Sequence, residues 1–328
     1  GKSSTSDECV VTTATVSENT AKLKCSINPS HKYIVRVTAM NGNDKSFPGR
    51  GFATLSVKKV DAPVATAATD VSTAGFTANW ETSTFAANYK LSLIRTHTAT
   101  ADGETLTYFD DDFTQIPYEM GKPEGTVQTQ DMQTPVSLDN FFKAPGWSTL
   151  LGVGFTGGFG ITNMYEAYGL PGAMFGPVAD FTVGEGKAKI SGTAMTTVDD
   201  AQVKVGFGKL GAGNKITFNE GAKVFEVSKT GSQFDVEVSG GSKDSRLIFQ
   251  IIDAAEGGDI VAFTNIKATT TLKKDDCYTL PYSIVTLPYD ATSYKLEVPF
   301  TGNDRFDYSL TGSFGNTVSP QSNTITVY

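Results

Sequence analysis

Five acids in this chain stand where a pair could do chemistry. Glycoside hydrolysis needs two carboxyl groups about 5–9 Å apart with opposed protonation. The candidates for such a pair are Glu119, Glu124, Glu166, Asp199 and Asp200. Most stand beside turn residues, where a carboxylate is simply solvated, and no apolar setting is evident that would raise one pKa. Catalysis is therefore not expected. Asp110, Asp111 and Asp112 are consecutive. They either supply oxygen to a calcium ion, which takes about six to eight such ligands, or form a solvated acidic turn. The chain has 2 histidines, His31 and His97. They fall in a turn and at a strand end, away from the partners of a nucleophilic or metal site, and read as surface or turn residues. No G-x-S-x-G, H-E-x-x-H or P-loop occurs, and the glycine strings GVGFTGGFG and GKLGAGNK lack strand–helix context.

Aromatic residues supply a second kind of site, because a ring face stacks on the C–H surface of a sugar. Trp147 is either such a platform or, with Leu150, Leu151 and Val153 close by, a core residue. Tyr165 and Tyr168 flank Glu166 in the Gly152–Gly172 stretch. A tyrosine can keep its hydroxyl wet while its ring makes contact, and a glutamate between two of them can accept ligand hydroxyls. Tyr165, Glu166, Tyr168 and Trp147 are the candidate ligand contacts.

Composition narrows the field. A formal net charge of −8 disfavours nucleic acid as a partner, since phosphate binding requires concentrated Lys and Arg. With 39% hydrophobic and 19% charged residues the chain is globular, and the 33 glycines point to strands and turns. No apolar run reaches the length of a membrane span. The start, GKSSTSDE, lacks the features of a signal peptide and reads as processed or truncated. Cys9, Cys25 and Cys277 have no C-x-x-C spacing. Cys9 and Cys25 either bridge in an oxidising compartment or remain thiols like Cys277.

The elements that would position these residues follow from alternation. In GFTANWETSTFAANYKLSLIR, Phe76, Ala78 and Trp80, then Tyr89, Leu91 and Leu93, alternate with polar residues, the pattern of two half-buried strands. Two strands alone are marginal in water. The best partners, Tyr294–Val298 and Phe306–Phe314, lie far downstream, so the sequence between is expected to be an insertion. Residues 10–58 read as four further strands, with Val60–Pro63 as a linker. Laying Thr13–Asn43 over Thr286–Asn316 without gaps aligns Lys22 with Lys295, Leu23 with Leu296, Thr38 with Thr311 and Gly42–Asn43 with Gly315–Asn316, a faint internal repeat. Residues 98–274 carry many short alternating runs separated by Gly, Asp and Ser turns, which predicts a separate β-sandwich of about eight to ten strands.

YIVRVTAMNGNDKS resembles the last strand pair of a fibronectin type III domain, and APVATAATDVSTAGFTANWETSTFAANYKLSLI the first three strands of another. Trp80 matches that family's buried tryptophan and Tyr33 its corner tyrosine. The second copy has Phe306 in place of the tyrosine, so its corner hydrogen bond is expected to be missing. Residues 98–274 resemble the jelly-roll modules of the cleaved-adhesin family of bacterial surface proteins, through Asp112–Phe113, Pro145–Gly146–Trp147, Phe175–Gly176–Pro177 and Phe263–Thr264–Asn265–Ile266. That family usually has Asp where Thr264 stands, which removes one carboxylate from the structural calcium site the resemblance implies.

The expectation is an all-β chain. Residues 1–59 would form a partial fibronectin type III-like sandwich, residues 60–97 with 275–328 a second, and residues 98–274 an inserted jelly roll. The resemblance further implies a secreted or bacterial cell-surface protein that binds a glycan or a host surface component without catalysis. A passive spacer is the alternative, and a glycoside hydrolase the third reading.

Overall fold

The computed structural model describes residues 34–46, 49–52, 59–127, 134–163, 172–198, 200–254, 259–301 and 303–328. Among these the protein is all-β. Its helical content is three single 3-10 turns, at Pro123–Gly125, Gly184–Gly186 and Ala212–Asn214. No helix among the described residues is long and apolar enough to cross a membrane.

The host sandwich is assembled from both ends of the chain. Gly75–Glu81 is central in a three-stranded antiparallel sheet, between Val64–Ser72 and Ser293–Leu296, with Phe76 opposite Leu296 and Ala78 opposite Tyr294. The facing sheet runs Cys277–Pro288, Asn88–Thr98, Asp304–Phe314, with Thr317–Val318 and Ile325–Val327 both on the last strand's free side. The alternating residues of these strands meet in between: Phe76, Trp80, Tyr89, Leu91, Leu93, Phe306, Tyr308 and Leu310 are all buried. Trp80, on the Gly75–Glu81 strand, is 3% exposed in this core.

Phe306 has no hydroxyl to tie a corner, yet a tyrosine tie is present. Tyr308, two residues on, donates its hydroxyl to the Thr66 carbonyl and accepts from the Asn79 amide at 3.3 Å. The strand carries the tie across the core instead of around a corner, because its buried face presents residue 308 to two of the three strands of the opposite sheet.

Asn88–Thr98 and Cys277–Pro288 pair along their length, from Asn88 opposite Pro288 to Thr98 opposite Cys277. Chain therefore leaves and re-enters this sheet at adjacent points. Cys277–Pro288 is an edge strand, and Pro281 sits at its irregularity, where a missing N–H spoils the edge for further pairing.

The inserted unit is a second sandwich of two seven-stranded antiparallel sheets. One runs Ser232–Val238, Ala188–Thr196, Ile260–Thr271, Gly158–Thr162, Gly152–Phe155, Thr126–Val127, and Thr105–Asp111 also pairs with Ile260–Thr271. The other runs Val136–Ser137, Ser148–Leu150, Ala173–Phe175, Arg246–Ala254, Asp200–Leu210, with Ile216–Phe218 and Lys223–Ser228 sharing the last strand's free side. Aromatic rings fill the space between them. Phe109 and Trp147 lie 4.3 Å apart, Phe142 meets Phe159 edge-on at 4.9 Å, and Phe249 meets Phe263 edge-on at 5.7 Å. Offset and edge-on geometry is what ring quadrupoles prefer.

A small apolar cluster cements the two sandwiches: Tyr278 from the host packs with Ala99, Leu106, Val183 and Leu272 of the insertion. Asp276 accepts the Gly184 and Lys273 amides at 2.9 Å each. Farther along, Lys90 reaches Asp139 at 3.7 Å.

Of residues 1–59, Ile34–Val37 pairs with Gly49–Phe52 and Met40–Asn41 with Asp44–Lys45. Cys9, Cys25, His31 and Tyr33 lie outside the described residues. Within the repeat, Gly42 and Gly315 share a positive φ, 63° and 54°. Both copies place a glycine where a side chain would be strained.

Candidate functional site

The best-developed candidate is the outer face of the sheet that contains Asp200–Leu210. Ala201, Val203, Val205 and Phe207 point into the core, as do Leu247, Phe249 and Ile251 on the neighbouring strand and Phe225 and Val227 on the next. The residues between them face out, because strand side chains alternate. Register sets Gln250 beside Lys204 and Lys204 beside Val224, with Gln202 beside Glu226.

One half of this face is closed. Leu150, Ala173, Phe175 and Ile248 are buried there, with Leu210, Ile216 and Phe218 packed against them. The chain that folds back over this half can do so because the strand beneath carries Gly206 and Gly208. A Cβ on Gly208 would lie 2.5 Å from the Thr217 carbonyl oxygen, and one on Gly206 would lie 2.6 Å from Ala222 Cβ.

The other half is open. Gln202, Lys204 and Gln250 are half-buried, and Val224 and Ile252 are 47% and 44% exposed. Ile252 faces out by alternation after the buried Ile251, and the ladder is irregular beside it: Val203 pairs with Ile251 but Gln202 pairs with Asp253, so Ile252 is an extra residue in its strand. Such bulges re-aim side chains beside functional sites. Lys204 Nζ lies 4.8 Å over the Phe218 ring, which holds the ammonium against the wall. No hydrogen bond among the described residues engages either glutamine amide. Two free amides, on neighbouring strands with Lys204 between them, offer donors and acceptors, and the two aliphatic side chains offer apolar contact. The arrangement can hold a polyhydroxylated ligand.

The residues predicted to bind ligand are distributed differently. Trp147 is 3% exposed and sits among Phe109, Phe142 and Phe249. It is a core residue and not a sugar platform, because the sheet edge that carries it turns its ring inward. Tyr165, Glu166 and Tyr168 lie outside the described residues, as does Asp199. The flanking Gly172 accepts the Ile251 amide at 3.0 Å and precedes Ala173, the register partner of Gln250.

Asp110, Asp111 and Asp112 do not converge on one point. Asp110 and Asp112 are exposed and bind separate lysines, Lys267 at 2.8 Å and Lys143 at 2.5 Å. The Lys143 ammonium and the Thr114 hydroxyl hold the Asp112 carboxyl well below its usual range. Asp111 is buried, and burial pushes its carboxyl up. It accepts the Phe113 amide at 2.8 Å and the Lys143 amide at 2.6 Å. Alternation along a strand sends the middle carboxylate inward, where it clamps two loops. Among the described residues no group of three or more His, Cys, Asp or Glu is gathered to hold a metal. Of the acids considered for hydrolysis, Glu119 is 81% exposed and 3.6 Å from Lys122, while Glu124 and Asp200 are also exposed.

His97 is at a strand end, as its sequence context suggests, but it is not a surface residue away from partners: it is 9% exposed and lies between two carboxylates, Asp304 and Glu104. Two depressions lie elsewhere. A groove of about 620 Å³ on the host sandwich is lined by Thr96, Thr98, Cys277, Phe300, Asn303 and Arg305. A cleft of about 480 Å³ on the insertion holds Glu185, Lys187, Lys189 and Lys273. Glu185 is paired within it, 3.2 Å from Lys187 and 2.5 Å from Lys273, while Lys189 pairs with Asp235 at 3.0 Å.

No family model and no curated protein matches the chain. Among solved structures it is similar to the CBM22-1 xylan-binding domain of Xyn10C from Paenibacillus barcinonensis, at 12% identity and TM-score 0.29, covering 53% of this chain and 99% of that one. It is also similar to a cycloalternan-forming enzyme of Listeria monocytogenes in complex with a pentasaccharide substrate, at 12% identity and TM-score 0.24, over 63% of this chain but 22% of that one. A third likeness is to the tripod of the bacteriophage Tuc2009 baseplate, at 11% identity and TM-score 0.17, over 72% and 96%. At these levels the likenesses bear on neither ligand nor activity.

Proposed function

We propose that this chain is a non-catalytic adhesion protein of the secreted or cell-surface kind, whose inserted sandwich binds a glycan on the outer face bearing Gln202, Lys204 and Gln250. The observation that carries this reading is the pairing of two unengaged amides with exposed Val224 and Ile252 on one rigid sheet. Saccharides ask for that combination, since their hydroxyls need donors and acceptors while their C–H faces need apolar cover. The fibronectin-like and cleaved-adhesin resemblances point the same way. The absence of catalysis draws its support from the exposed, solvated setting of the described candidate acids.

The test is a glycan array followed by calorimetry on any hit. Replacing Gln202 and Gln250 with alanine should cut affinity at least tenfold while leaving the melting temperature within a degree or two, because half-exposed polar residues contribute little to folding. Undiminished binding by the double variant would place the ligand elsewhere, and hydrolysis of an array glycan would reinstate the enzyme reading.

A second reading, the passive spacer, gains from the cemented junction of the two sandwiches. It is the one to adopt if no glycan or cell-surface component binds.

A further inference from the structure

His97 is the penultimate residue of the Asn88–Thr98 strand, at the point where chain passes from host to insertion. Its Nδ1 lies 2.8 Å from Asp304 Oδ1, in the host sandwich, and its Nε2 3.1 Å from Glu104 Oε2, in the first turn beyond the junction. Asp304 is otherwise saturated, and so is Oε1 of Glu104. Asp304 accepts two bonds from Arg95 at 2.9 Å and two from Thr301 at 2.8 Å. Glu104 Oε1 accepts the Thr100 amide and hydroxyl and the Ala101 amide, at 2.6, 2.7 and 2.9 Å. The Thr100 hydroxyl, His97 and the two amides lower the Glu104 carboxyl to about 2. Burial opposes ionisation of Asp304, but the bonds from Arg95, Thr301 and His97 outweigh it and bring that group to about 2 as well. Both are therefore anions that can only accept.

A neutral imidazole has one N–H and can satisfy one of the two; its other nitrogen would aim a lone pair at a carboxylate. Only the imidazolium makes both bonds. The other titratable and charged groups around it are Arg95 on its own strand and Tyr278 and Tyr282 on the neighbouring one, the Tyr278 ring 5.5 Å away.

We infer that His97 is a pH-operated clasp between the two sandwiches, closed while both ring nitrogens carry protons and released at Glu104 when one is lost. Release falls at Glu104 because Asp304 keeps the remaining proton on Nδ1 and has Arg95 and Thr301 besides, whereas the Glu104 Oε2 contact has no other donor. The closed state is bounded on both sides. Acid strong enough to approach pH 2 protonates the two carboxylates, so their contribution is present above the ordinary carboxylate range and lost as pH falls through about 2. On the alkaline side, loss of one ring proton leaves a neutral imidazole, which can satisfy only one of the two carboxylates, and the contact at Glu104 opens. A protein that binds surfaces would thereby have a junction stiffer in mildly acidic surroundings than in mildly alkaline ones.

The test uses the full chain and two measurements. Long-range ¹H–¹⁵N spectra, with a His31 variant for assignment, should show both His97 nitrogens protonated at pH 5.5 and only Nδ1 protonated at pH 8.5. Hydrogen-exchange protection of residues 99–106, corrected for the intrinsic rate, should fall about tenfold over that interval, the factor for one charge-assisted hydrogen bond. In Glu104→Gln the fall should vanish, because the amide oxygen stays with the Thr100 and Ala101 donors and the NH2 group faces Nε2, where it donates to the neutral ring and leaves no charge-assisted bond to lose. This variant changes a part-buried contact and preserves the acceptor for Thr100, so it keeps the fold. A single-proton tautomer at pH 5.5, or an equal fall in Glu104→Gln, would overturn the inference.

Discussion

Replacing Tyr308 with phenylalanine isolates the cross-core tie of the host sandwich. The ring is fully buried and stacks 5.9 Å from Phe76, and the substitution keeps it, so no cavity opens. What goes is the hydroxyl, which donates to Thr66 and accepts from Asn79. Each orphaned partner costs about 1 kcal/mol, toward the low end of the usual range because both strands are only part-buried there. The sum is about 2 kcal/mol, and a unit of this size shifts by about 4–8 °C per kcal/mol, so its melting point should fall by about 8–16 °C. The chain has 2 tryptophans, and they fall one to each sandwich: Trp80 in the host core and Trp147 in the inserted one. With 5-fluorotryptophan incorporated, ¹⁹F spectra in urea give each sandwich its own transition. The Trp80 transition should move and the Trp147 transition should move less. A Trp80 midpoint within about 0.5 kcal/mol of the parent would refute the claim that the hydroxyl links the sheets, since surface changes alone stay within that range.

Trp147→Ala should destabilise the inserted sandwich by about 3–5 kcal/mol, as truncation of a fully packed ring does, and a mild effect on the Trp80 transition would locate the damage. Acid should weaken the host sandwich as pH falls from 4 toward 2, because the lowered Asp304 carboxyl contributes above its unfolded value and ceases to contribute as it protonates; Arg95→Met should flatten that slope in acid unfolding curves. Melting curves in calcium and in chelator should superpose, given that Asp110 and Asp112 are engaged by lysines and Asp111 by backbone amides; a calcium-dependent rise would show that the carboxylates re-gather.

What the sequence disclosed depended on distance along the chain. Strands such as Gly75–Glu81 were legible because alternation is local, and the far partner Ser293–Leu296 because an apolar face without cover has to find one. The direction of Trp147 was not legible: the same neighbours suit a platform or a core until the sheet edge is placed. Asp110–Asp112 misled for a similar reason, since adjacency in sequence reads as proximity but sends side chains to opposite faces of a strand. His97 was hidden because its two partners stand 7 and 207 residues away. Gln202 and Gln250 gave no signal either. Only strand pairing brings them onto one face, with Lys204 between them and Ile252 turned outward by alternation beside the irregularity.

The way chain enters and leaves the inserted sandwich decides how it answers to force. Both covalent connections run through adjacent strands of one sheet, Asn88–Thr98 and Cys277–Pro288, and Asn88–Thr98 is also paired along most of its length with Asp304–Phe314. A tug on whatever the insertion holds is divided between two tethers and travels lengthwise along those strands. Ladder hydrogen bonds lie across that direction. They resist together as a row in shear, where a sandwich hung by a single terminal strand would give way one bond at a time, like a zip.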